Sequence, residues 1–97
     1  MPKPHTVLVI LEAKSGKENE LESALKKAAE LSRLEKINIE YRLLKNTENP
    51  QQFILYENWE NKEKHQQQFE KPYIKKLASK LNELLARPYQ AYFGEEI

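Results

Sequence analysis

Val7-Leu8-Val9-Ile10-Leu11 is apolar at every position. A strand with one wet face alternates apolar and polar residues. An unbroken run this short and this rich in β-branched residues therefore reads as a strand buried on both faces. Whatever follows must cover both sides of it. With 97 residues in hand, the chain makes one domain over 1–97 and buries roughly two-thirds of its unfolded surface. The run itself is too short for an ordinary signal-peptide core or a membrane span, so a soluble, cytoplasmic domain without a membrane partner is expected.

The remaining elements follow from periodicity. Leu21, Ala24, Leu25, Ala28, Leu31 and Ser32 recur at three and four, with Glu20, Glu22, Lys26 and Lys27 between them. That is an amphipathic helix, and Ser15 with Glu18 gives it a capping-box pattern. Ile37 to Leu43 alternates, Asn46-Thr47-Glu48-Asn49-Pro50 has turn composition, and Phe53 to Trp59 forms a second strand, so the pair makes a hairpin. Asn61 is placed to cap a short polar helix from Lys62 to about Glu70. Pro72 suits the first turn of another helix, whose stripe is Ile74, Leu77, Ala78, Leu81, Leu84 and Leu85. Tyr89 to Phe93 reads as a last strand. The order β-α-β-β-α-β is the α+β, ferredoxin-like split βαβ: a four-stranded antiparallel sheet with helices on one face.

In this architecture the helices leave one sheet face open. The first strand is apolar on both parities, and the third sets Phe53, Leu55 and Trp59 against Ile54 and Tyr56, so the open face would carry a row of large apolar side chains that soluble monomers rarely expose. A second copy packed sheet on sheet covers them, which predicts a homodimer with a shared α/β-barrel core.

Composition removes whole classes of function. Lys+Arg number 16 against 15 Asp+Glu, without the basic excess of a nucleic-acid binder. Cysteine is absent, which rules out disulfides, thiolate catalysis and cysteine-ligated metals. The two histidines, His5 and His65, stand in no metal-ligand spacing, so no metal is expected. No glycine-rich phosphate loop, nucleophile elbow or dinucleotide fingerprint occurs, so no nucleotide cofactor is expected. Lys75, Lys76 and Lys80 read as the solvated face of the last helix, and His5 as a silent residue near the chain start.

What remains is aromatic. Period two puts Phe53, Leu55, Glu57 and Trp59 on one strand face. If that face meets the helices, a pocket lined by Trp59, Phe53, Leu55, Tyr41, Phe69 and Leu77 would hold Glu57 and His65 as its polar groups and suit a flat aromatic ligand. A carboxylate buried there has a raised pKa and can act as a base. The plainer alternatives are a core tryptophan, and a Glu57 paired with Arg33 or Arg42.

Ser32-Arg33-x-Glu35, Tyr41-Arg42-Leu43, Pro50-x-x-Phe53-x-x-Tyr56-Glu57-x-Trp59 and Lys71-Pro72-Tyr73 resemble the antibiotic biosynthesis monooxygenase domain family, over about Thr6 to Phe93. The resemblance implies a dimeric ferredoxin-like barrel. It also implies oxidation of quinols or polycyclic phenols by molecular oxygen without metal, flavin or haem, with Trp59 matching the family's site tryptophan. Many members carry histidines where this chain has Gln68 and Tyr73, and Gly-Cys in place of Ile37-Asn38. The related haem-degrading branch needs an axial histidine where Phe69 stands. The expectation is a cofactor-independent monooxygenase with Glu57 or His65 as base and Trp59 stacked on the substrate. The alternatives are a non-catalytic binder of an aromatic metabolite and an isomerase using the same carboxylate.

Overall fold

The computed structural model describes residues 3–97. Its elements run β1 (His5–Glu12), α1 (Glu18–Arg33), β2 (Asn38–Lys45), β3 (Gln52–Trp59), α2 (Lys62–Gln67), a 3₁₀ turn (Gln68–Glu70), α3 (Pro72–Leu84) and β4 (Gln90–Gly94). The sheet order is β2-β3-β1-β4, with every pairing antiparallel. This is the split βαβ arrangement expected from the element order, and the unbroken apolar run lies in the central β1.

Odd-numbered residues of β1 and β3 face the helices. Val7, Leu11, Phe53 and Leu55 pack there with Leu21, Leu25 and Ala29 of α1 and Leu81 and Leu84 of α3. The opposite face carries the apolar row: Leu8 pairs with Tyr56 and Tyr92, and Ile10 with Ile54. Leu44 and Tyr92 at its margins are about half exposed, at 48% and 53%.

Local chemistry sets the element ends. Asn61 caps α2 by accepting from the Lys64 backbone N–H at 2.8 Å, and Pro72 occupies the first turn of α3, where its missing N–H costs nothing. The capping box expected at Ser15 is not formed. Gly16 takes a positive φ of 87°, which closes a turn with Lys17 N–H donating to Lys14 O at 2.9 Å. Ser15 is thereby left a turn too early, and Lys17 becomes the N-cap without a side-chain bond. Glu18 and Glu20 in the first turn complement the helix dipole instead. β2 begins at Asn38, one residue later than the alternation suggested, and a register shift between Asn38 and Glu40 leaves Ile39 out of the pairing and exposed.

Candidate functional site: a buried carboxyl at the end of an apolar cavity

Glu57 comes to the core because β3 is an alternating strand. Phe53, Leu55 and Trp59 must face the helices, so Glu57 faces them too. Only 4% of the residue is exposed. Its Oε1 accepts a 2.9 Å hydrogen bond from Trp59 Nε1. Burial opposes the charged form and that bond favours it. Burial wins, and the carboxyl pKa is raised from 4.5 to about 7.

The capped helix α2 brings His65 against the same group, also 4% exposed. Its Nε2 lies 3.9 Å from Glu57 Oε1, too long for a direct hydrogen bond and within reach of one bridging water. Burial, and then the nearby His5, lower the imidazole pKa from 6.5 to about 4. Near neutrality His65 is therefore uncharged while Glu57 divides between its two forms. Aromatic rings enclose the imidazole: Trp59 at 5.2 Å and Phe69 at 5.1 Å between centroids, with Phe93 at 6.0 Å.

Both groups open onto a cavity of about 170 Å³ under the sheet, whose wall is mostly apolar. Of the residues expected there, Tyr41, Leu55, Glu57, His65, Phe69 and Leu77 line it. Phe53 and Trp59 do not. Phe53 is fully packed in the core, with Lys45 Nζ 5.6 Å from its ring centre. Trp59 is 0% exposed and stands behind the wall, edge-on to Tyr41 with centroids 6.3 Å apart. The expectation that Trp59 stacks on a ligand is thus corrected: its flat surfaces are already occupied by protein. Its indole N–H donates to Glu57 and its ring packs on His65. Neither arginine considered for Glu57 reaches it. Arg33 Nε donates to Tyr41 O at 2.8 Å, and Arg42 Nε pairs with Glu40 at 2.6 Å.

Gln68 also lines the cavity. Its Nε2 donates to the fully buried Ser32 Oγ at 2.7 Å. Burial and the Glu57 charge push the Tyr41 hydroxyl pKa far up, so Tyr41 stays protonated. Other residues of the sequence motifs brace the scaffold. Tyr73 donates its hydroxyl to Glu35 at 3.4 Å, and Lys71 Nζ lies 3.5 Å from the same carboxylate. At the opening stand Phe69 and Phe93, 49% and 60% exposed.

His5, expected to be silent, belongs to this cluster. Its ring centre is 5.3 Å from that of His65 and 5.4 Å from Phe93, on which it stacks. The signal that finds it is register: antiparallel pairing of β1 with β3 sets His5 opposite Trp59. Among the described residues, no group of three or more His, Asp or Glu is arranged to hold a metal ion, and no helix is long and apolar enough to cross a membrane.

A sequence signature described as antibiotic biosynthesis monooxygenase matches residues 4–80. No curated protein matches the chain. Solved structures match its fold throughout. A Pseudomonas aeruginosa protein superposes with a TM-score of 0.94 at 18% identity, covering 100% of this chain and 97% of its own. A candidate antibiotic biosynthesis monooxygenase of Nitrosomonas europaea gives 0.94 at 18% identity, covering 100% and 93%. A conserved Methanosarcina mazei protein gives 0.92 at 20% identity, covering 98% and 94%.

Proposed function

Since the chain belongs to the antibiotic biosynthesis monooxygenase family, we propose that it oxidises a small quinol or polyphenol with molecular oxygen, without a metal, flavin or haem. The observation that carries this reading is the setting of Glu57. A carboxyl that titrates near neutrality, held by the Trp59 indole N–H at the end of an apolar cavity, suits removal of a proton from a phenolic hydroxyl. Quinolate is electron-rich enough to reduce oxygen itself, so the protein's tasks are to bind, orient and deprotonate. The overall reaction balances: the quinol gains one oxygen atom and loses two hydrogens to become a hydroxyquinone, and the second oxygen atom leaves as water. Glu57 takes the hydroxyl proton, and a proton drawn from solvent reaches the departing oxygen, so that it leaves as water and no net charge stays in the site. Tyr41, Leu55, Phe69 and Leu77 shape the cavity around the ring. A volume near 170 Å³ is of the size, about 150 Å³, that holds one aromatic ring.

The test is oxygen uptake with a panel of one- and two-ring quinols, corrected for autoxidation without protein. Uptake above the control, matched one-to-one by hydroxyquinone, is expected, and His65→Gln should change its rate. Turnover that proceeds equally well without air would mark an isomerase. Quenching of Trp59 fluorescence with no turnover would mark a binder.

The open sheet face belongs to the same proposal. Leu8, Ile10, Ile54, Tyr56, Leu44 and Tyr92 form an apolar surface that a second copy would cover, sheet on sheet. Light scattering after gel filtration should give twice the chain mass for the parent. Ile54→Glu, at the middle of that face, should give a folded monomer. A monomeric parent would contradict the homodimer.

A further inference from the structure

Glu57 and His65 are almost sealed from water, yet a base that works repeatedly must exchange its proton with solvent. Trp59 packs on His65, and Tyr41 stands opposite Glu57 in the β2–β3 pairing. Phe69 and Phe93 pack on the imidazole and offer no proton-carrying atom. The titratable side chains against His65 are Glu57 from β3 and His5 from β1. His5 is half-buried, touching His65 on one side and reaching solvent on the other.

We propose that His5 is the proton exchange station of the site, passing protons between bulk water and the Glu57–His65 pair. The proposal rests on the reading of Glu57 as the base. The path starts at Glu57 Oε1, crosses 3.9 Å to His65 Nε2 and continues to the His5 ring, 5.3 Å away between centroids. The first gap is of the size one ordered water bridges, and the two imidazole rings of the second step are direct neighbours. Stacking on Phe93 at 5.4 Å holds the His5 ring in place. Imidazole suits the task because it accepts a proton on one nitrogen and releases one from the other. Each turnover moves one proton outward by this route and one back, so no charge accumulates in the cavity. His5 thus touches neither substrate nor oxygen, and is a positioning and relay residue.

Trp59, the one tryptophan of the chain, reports on the pair directly because it is bonded to Glu57. The experiment is a temperature jump in weakly buffered solution near the Glu57 midpoint, following Trp59 fluorescence in the intact protein, in His5→Phe and in His5→Gln. Phenylalanine keeps the stack on Phe93, and glutamine keeps a polar side chain at the mouth. The expected result is relaxation slowed about tenfold or more in both variants, restored by added imidazole, with the equilibrium titration midpoint still visible. Relaxation as fast as the parent's overturns the relay and leaves Glu57 standing as the titrating base. Slow relaxation that imidazole does not restore also overturns it, since that marks a packing change. A parent with no fluorescence transition near neutrality overturns relay and base together. Oxygen uptake tests the reaction separately: a working relay without uptake overturns the monooxygenase reading alone.

Discussion

Glu57→Gln should lower oxygen-dependent turnover by about two to four orders of magnitude, the usual worth of a positioned base. The same substitution should make the protein more stable in mild alkali. Glutamine keeps an oxygen to accept from Trp59 Nε1 and nearly keeps the volume, so the change is chiefly one of charge. The carboxyl's pKa stands at about 7 in the folded protein against 4.5 without burial, so the folded state binds the proton more tightly. Its favourable contribution is complete below pH 4.5, is lost as pH rises to about 7, and stays lost above. At full ionisation the difference is about 3 kcal/mol, an upper figure that solvent relaxation reduces. Glu57→Gln removes that penalty, so its gain over the parent in urea midpoint should be far larger at pH 8.5 than at pH 5. His65 works in the opposite sense. With its pKa lowered from 6.5 to about 4, its contribution is present above 6.5 and is lost as pH falls towards 4. The two slopes oppose each other between about 4.5 and 6.5, and the parent's stability should be nearly flat there. Equal gains for Glu57→Gln at pH 5 and pH 8.5 would show that Glu57 is not a buried titrating group.

The second large effect is on stability. Trp59 is fully buried against Tyr41 and His65, and Trp59→Ala should cost about 3–5 kcal/mol. For a domain whose whole stability is about 5–15 kcal/mol, that is a large share. It corresponds to a fall in Tm on the order of 12–40 °C. Lost activity in that variant would carry no mechanistic information. Trp59→Phe is the informative change. It keeps most of the ring and removes the N–H that favours the charged carboxyl, so the midpoint of the pH–rate profile should move above about 7. A folded Trp59→Phe whose midpoint stays put would show that the 2.9 Å bond to Glu57 does not tune the base.

The placement of Glu57 was legible in the sequence because period two leaves a strand residue two choices, and its neighbours Leu55 and Trp59 decide between them. The element order was legible for a similar reason: each helix shows its stripe and each strand its alternation. Depth was not legible. Nothing in Tyr56-Glu57-Asn58-Trp59 says whether the indole forms the cavity wall or stands behind it. The answer depends on how closely Tyr41 and His65 pack around it, and both come from other elements. His5 was missed because its neighbours in the chain are polar and near the start. Its importance arises from pairing with Trp59, more than fifty positions away along the chain. The absent capping box at Ser15 shows a local rule displaced by another: the left-handed turn at Gly16 sets where α1 can begin.

In the proposed reaction Glu57, buried at the end of an apolar cavity, is the base that starts oxygen-dependent oxidation of a small quinol. The most direct test is oxygen uptake against pH for the parent and Glu57→Gln, each corrected for autoxidation at the same pH. Uptake is expected to rise with pH through a midpoint of about 7 and to be lost in the variant. Uptake that Glu57→Gln leaves intact, or that never exceeds the protein-free control, would contradict that role.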